Sequence, residues 1–224
     1  MASRLEGEVV TVLVGESGQK RIVHKQLLCE HSPFFTAAFE KDWKEGQERT
    51  IPLPNDDPEV FALYIQWIYR GKIFSRTPPS ESPSVSGELD LLIDAYIFGE
   101  KVQDNNYKDA VLDSLLACAS TKDDKGEKWF PAGRAVQRAY EKTPTGSPLR
   151  KLVVDMHNHC GRSEWIKEEN SVEFLADLTR EMFATRAPPV GLDLTDWNVS
   201  SCVYHHHGKD EQCYSSTGLQ AGKK

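Results

Sequence analysis

A chain of 224 residues with 39% hydrophobic residues and a net charge of −7 has room for one large domain, or for one medium domain with an extension, and can bury a core without metal or disulfide staples. The acidic balance, with no lysine/arginine block, weighs against a general nucleic-acid binder, which needs a basic face to neutralise phosphate. The apolar runs are too short to span a bilayer, Met1 to Glu8 lacks the apolar stretch of a signal peptide, and a mean hydropathy of −0.52 predicts that part of the chain stays outside the packed core.

Val9 to Val14 is a continuous apolar run dominated by β-branched residues, which predicts a strand covered on both faces. Gly15 to Gly18 supplies turn residues and Lys20 to His24 a second short strand, so residues 9–24 read as a hairpin. Lys25 to Glu30 is expected to be a helical turn with Leu27 and Leu28 inward. Ser32-Pro33 marks a helix start, because the Ser hydroxyl can cap free N–H groups and Pro suits the first helical position. That helix carries Phe34, Phe35, Ala38 and Phe39. Asp42 to Arg49 is polar and read as an exposed loop, and Thr50 to Leu53 as a third strand.

Asp57-Pro58 repeats the cap-plus-proline device ahead of Val60, Phe61, Leu63, Tyr64, Trp67 and Ile68 at helical spacing, with Gly71 placed for a left-handed cap. Ile73-Phe74 is expected to be a short strand and the Ser/Pro-rich Ser75 to Gly87 a mobile loop. Leu89 to Val102 and Asn106 to Ala119 read as helices, and Thr121 to Lys128 as a solvated charged linker. Further helices are predicted over Pro131 to Glu141, after Ser147-Pro148 and closed by Gly161, and after Ser171. Residues 186–224 have few apolar anchors and read as a largely disordered tail.

The ordered set Val23-His24-Lys25, Leu28, Ser32-Pro33-Phe34-Phe35, Phe39, Trp43-Lys44-Glu45, Ile51-Pro52-Leu53, Asp57-Pro58, Phe61 and Tyr69-Arg70-Gly71 resembles the BTB/POZ domain, over residues 8–118. The stretch Pro144 to Asp155 is also similar to BTB proteins of filamentous fungi. The resemblance implies an α+β fold, a small mixed three-stranded sheet flanked by a helical cluster, followed here by a helical extension at residues 129–185. It implies a non-enzymatic protein-interaction module that self-associates or docks on a cullin-type ubiquitin ligase scaffold; a transcription-linked regulator using the domain to oligomerise is the alternative. Two departures stand out: Gly7 or Glu8 occupies the place of an Asp common before the first strand, and only about eight residues precede Val9, where family dimers often use a helix and strand.

In family members that bind cullins a hydrophobic-x-acidic triplet often stands where this chain has Trp43-Lys44-Glu45. Trp43 would be the aromatic anchor and Glu45 the acceptor at its rim, with Phe39 and Tyr69 able to share the surface. The contrary reading folds Trp43 back onto Phe39. His24 with Cys29 could serve a thiol-dependent hydrolase, but no third group orients them, and His24 reads as structural. Cys202, His205, His206, His207 and Cys213 offer zinc-ligand types at irregular spacing, and His157, His159 and Cys160 do not share one helix face, so no metal is expected. No phosphate-binding glycine loop or G-x-S-x-G is present, and no cofactor is expected. The five cysteines are scattered and odd in number, which reads as a reduced intracellular protein, cytoplasmic or nuclear, with thiols acting as small hydrophobes.

Overall fold

Strand β1 (Val9–Val14) turns through Gly15 and Gly18, both at positive φ, into the antiparallel β2 (Gln19–His24). A side chain at Gly15 would be strained by its φ of 76° and would meet the Pro58 ring at 3.2 Å. Strand β3 (Thr50–Leu53) lies parallel to β1 on its other side, so the sheet order is β2-β1-β3. The computed structural model describes residues 7–40, 49–75, 85–123, 125–167 and 170–186. The expectation that β1 is covered on both faces is corrected. Val10, Val12 and Val14 are buried, whereas Val9 is exposed and Thr11 and Leu13 are half-buried, so one face alone packs into the core.

Eight α-helices are described. They are α1 (Lys25–His31), α2 (Pro33–Ala38), α3 (Pro58–Arg70), α4 (Val85–Val102), α5 (Asn105–Ser120), α6 (Arg134–Lys142), α7 (Pro148–Cys160) and α8 (Val172–Thr185). Helix starts follow the predicted chemistry. Ser32 Oγ accepts from the Phe35 N–H at 3.2 Å and Asp57 Oδ1 from the Glu59 N–H at 2.6 Å, each ahead of a proline at the first helical position. Gly71 ends α3 at φ 64°, its N–H donating to the Trp67 carbonyl. Ser32 does more than cap: its hydroxyl also donates to the Val102 carbonyl at 2.6 Å, fixing α2 to the end of α4.

The core is aromatic at its centre. Tyr64 is fully buried between Tyr107, with centroids 5.0 Å apart, and Phe98 at 5.4 Å, and Phe35 stacks at 6.2 Å. Asp104 caps α5 through the Tyr107 N–H at 2.9 Å and accepts from Trp67 Nε1 at 3.1 Å, with His31 Nδ1 3.5 Å away. The later helices share this body. Arg138 of α6 reaches Asp90 and Asp94 of α4 at 2.8 Å each, and Ser147 Oγ bonds to Tyr96 Oη at 3.2 Å. Ser147 therefore spends its hydroxyl on a long-range contact instead of capping α7.

Three further expectations change. Ile73-Phe74 forms no described strand; Ile73 packs on the core, and Phe74 is exposed with the Arg70 guanidinium 5.7 Å from its ring centroid. Helix α4 starts at Val85, inside the predicted loop, while residues 76–84 of that loop lie outside the described residues. The charged linker is an ordered turn. Lys122 and Lys128 form a β-bridge, and the Asp123 carboxylate accepts from the N–H groups of Lys125 at 2.9 Å and Glu127 at 2.8 Å and from Trp129 Nε1 at 2.8 Å. Those bonds, the one from Trp129 foremost, hold the Asp123 carboxyl below its ordinary pKa. The polar exposed loop predicted at 42–49 and the tail predicted at 186–224 fall almost wholly outside the described residues. No described helix is long and apolar enough to cross a membrane.

Candidate protein-docking surface

Helix α2 carries two adjacent phenylalanines, and a helix can turn only one of two neighbours fully inward. Phe35 is buried, and Phe34 stays half-buried, its ring centroid 5.1 Å from that of Phe35 in a T-shaped contact. Phe34 forms the floor of an apolar groove with Pro33, Ala37 and Ala38 of α2 and Ile51 and Pro52 of β3. Glu40 and Gln103 supply polar rim groups, and the groove measures about 650 Å³. Lys101 Nζ sits 6.0 Å from the Phe34 ring centroid and 2.5 Å from Asp56 Oδ2, so an ion pair borders the aromatic surface. Apolar centre and charged margin together suit the docking of another polypeptide.

The four residues singled out from the sequence do not converge on one visible patch. Phe39 ends α2 beside the groove but is only 6% exposed, with Lys25 Nζ 5.4 Å from its ring centroid, so it offers little surface to a partner. Trp43 and Glu45 fall in residues 41–48, outside the described residues. That segment begins after Glu40, a lining residue of the groove, and ends at Arg49, which leads into β3. Tyr69 is exposed but lines a different groove, with Ile22, Ile65 and Phe74. Phe34, Ala37 and Pro52 were not singled out, although the Phe-Phe pair in a short helix already signals that one aromatic must face outward.

The alternative chemistries find little support in the geometry. His24 Nδ1 lies 2.6 Å from Tyr69 Oη, and the Tyr69 hydroxyl also receives the His24 backbone N–H at 3.2 Å, so the ring is engaged structurally. Burial pushes the Cys29 thiol up from its ordinary pKa, with Thr36 and Lys25 acting in the opposite direction. That favours the thiol over the nucleophilic thiolate. His157 is buried with a ring nitrogen 2.8 Å from the Val153 carbonyl, between the Trp165 and Phe174 rings, and burial holds its pKa low. His159 and Cys160 are exposed. Among the described residues, no three His, Cys, Asp or Glu side chains are grouped to hold a metal ion, and Cys202, His205, His206, His207 and Cys213 lie outside them.

Comparison with known proteins agrees with this architecture. Residues 3–86 match the family model described as BTB/POZ domain. A 56-residue segment is 38% identical to a mouse (Mus musculus) protein described as TD and POZ domain-containing protein 1-like. The aligned segment is 25% of this chain and 15% of that relative, so the likeness spans only a small part of the mouse protein's length.

Proposed function

Because residues 3–86 are a BTB/POZ domain, in general a module for protein–protein interaction and dimerisation and not for catalysis, we propose that this protein is a non-enzymatic adaptor that docks on a cullin-type ubiquitin ligase scaffold. The observation that carries the reading is the apolar groove of Phe34, Ala37, Ile51 and Pro52, from whose margin the segment bearing Trp43 and Glu45 departs and returns. In this reading Trp43 and the groove supply the desolvated anchor, and Glu45, Glu40 and Lys101 the polar margin that fixes register. Residues 129–185 act as a helical extension braced against α4, and they stiffen the body that presents the surface.

The test is capture of a cullin N-terminal region by the full chain. Wild type is expected to retain it, and Trp43→Ala combined with Glu45→Ala to reduce retention at least about tenfold, as for loss of an interface hot spot. Equal capture by both proteins would remove the assignment of this surface.

A further inference from the structure

Among the described residues, the outer edge of the sheet has a stretch with no backbone partner beside a second groove. The Lys25 N–H donates to the Glu8 carbonyl at 2.9 Å, which sets the phase of the β1–β2 ladder. Gln19, Arg21 and Val23 then exchange backbone bonds with β1, while Lys20, Ile22 and His24 turn theirs outward. The same phase appears across β1, where Thr11 and Gly15 donate to Arg49 and Leu53. Outward on β2, the His24 N–H is taken by Tyr69 Oη. Among the described residues, the outward N–H and C=O groups of Lys20 and Ile22 have no such partner.

Next to that edge, Ile22, Ile65, Tyr69 and Phe74 enclose a shallow groove of about 620 Å³ together with Gln66 and Arg70. The Ile22 side chain is 63% exposed and Phe74 48%. The Gln66 Oε1 atom is buried with no hydrogen-bond partner among the described residues. The charge pattern is local and opposite to that of the whole molecule. Arg70 is a lining residue, Lys20 and Lys72 are exposed and lie two positions from Ile22 and Arg70 in sequence, and none of the described lining residues is a carboxylate, on a chain of net charge −7. Among the described residues, Glu88 is bonded to Ser75, and Asp57 and Glu59 stand at the start of α3 beside Gln19 and Arg21.

We propose that the edge of β2 at Lys20 and Ile22 accepts an extended segment of a partner protein as an added strand. Its apolar side chains fill the groove of Ile22, Ile65, Tyr69 and Phe74, and a carboxylate beside them meets Arg70. Backbone pairing supplies affinity and the groove supplies specificity, as in other strand additions. Tyr69 closes the edge at His24, so the paired stretch is short. This surface is separate from the groove of Phe34 and does not depend on cullin docking.

The test uses the full chain and fluorescein-labelled peptides of about six residues, the usual length of a strand. One alternates valine and glutamate, one has lysine for glutamate, and one repeats the acidic sequence with alternate backbone nitrogens methylated. The acidic peptide is expected to bind saturably and to slow hydrogen exchange at the Lys20 and Ile22 amides. Ile22→Glu, at an exposed position, is expected to weaken it at least about tenfold. Arg70→Glu is expected to reverse the preference toward the lysine peptide, and Trp43→Ala with Glu45→Ala to leave binding unchanged. Equal binding of the lysine or methylated peptide, unchanged binding to Ile22→Glu, protection confined to other amides, loss of binding in the Trp43/Glu45 variant, or no binding by the acidic peptide would each overturn the proposal.

Discussion

Arg150 shows how much a single side chain organises. It is 7% exposed and donates to the carbonyl of Tyr140 at 2.6 Å, to the Thr143 carbonyl and hydroxyl, and to Glu173 at 2.7 Å, with its guanidinium 4.6 Å from the centroid of the Tyr140 ring. Glu173 is 67% exposed, so the charge pair is screened and the buried carbonyls carry most of the bond's value. Arg150→Met removes every donor at once and leaves the end of α6 with unpaired carbonyls. It is expected to cost about 3 kcal/mol, read as a melting temperature lower by roughly 10 °C. Arg150→Lys should recover only part, because one ammonium cannot reproduce the fork. An unchanged melting temperature in Arg150→Met would show that α6, α7 and α8 are held by apolar contacts alone. Nothing in the sequence marks Arg150 for this role, since its partners lie 7, 10 and 23 positions away.

At the scale of elements, α4 packs tightly on α5 at Gly99. A Cβ on Gly99 would lie 2.7 Å from Lys108 Cγ and 3.1 Å from Tyr107 Cδ1. Lysine can swing aside, but Tyr107 is fully buried against Tyr64 and has nowhere to go. Gly99→Ala gains up to about 1 kcal/mol of helix propensity, yet the crowding is expected to outweigh it and lower the urea midpoint; Gly99→Val should lower it further. A higher midpoint for Gly99→Ala would mean that the two helices slide apart at little cost. Helix starts were legible because Ser32-Pro33 and Asp57-Pro58 act locally, and so was the left-handed stop at Gly71. The one-sided burial of β1, the early start of α4 and the Asp123 turn were not, since each depends on what packs nearby. Of the residues expected at a docking surface, Phe39 turned inward and Tyr69 lines a separate groove, because the same aromatic can anchor a core or a partner, and Trp43 and Glu45 lie outside the described residues.

For the whole molecule, the BTB/POZ match ends at residue 86, while the compact body runs on to Thr185. Leu149, Val153 and Phe174 are as buried as Phe61, and the Arg138 and Ser147 contacts tie α6 and α7 back to α4. A chain ending at Ser120 would uncover the faces of α4 that these helices protect. It is expected to bind a hydrophobic dye and melt below the full chain, whereas a chain ending at Arg186 should match it. Equal stability of the shorter chain would make residues 129–185 a separable accessory.

The Asp123 turn bears on how the two halves of that body communicate. Between α5 and α6 the chain could have been a slack tether, across which a push on one side is lost. Three bonds converge on one carboxylate and a β-bridge closes the loop, so the connection behaves as a bracket. Its three lysines, Lys122, Lys125 and Lys128, are exposed, and trypsin is expected to cut there more slowly in the wild type than in Asp123→Ala, because the backbone must leave its turn before it can lie extended in a cleavage site.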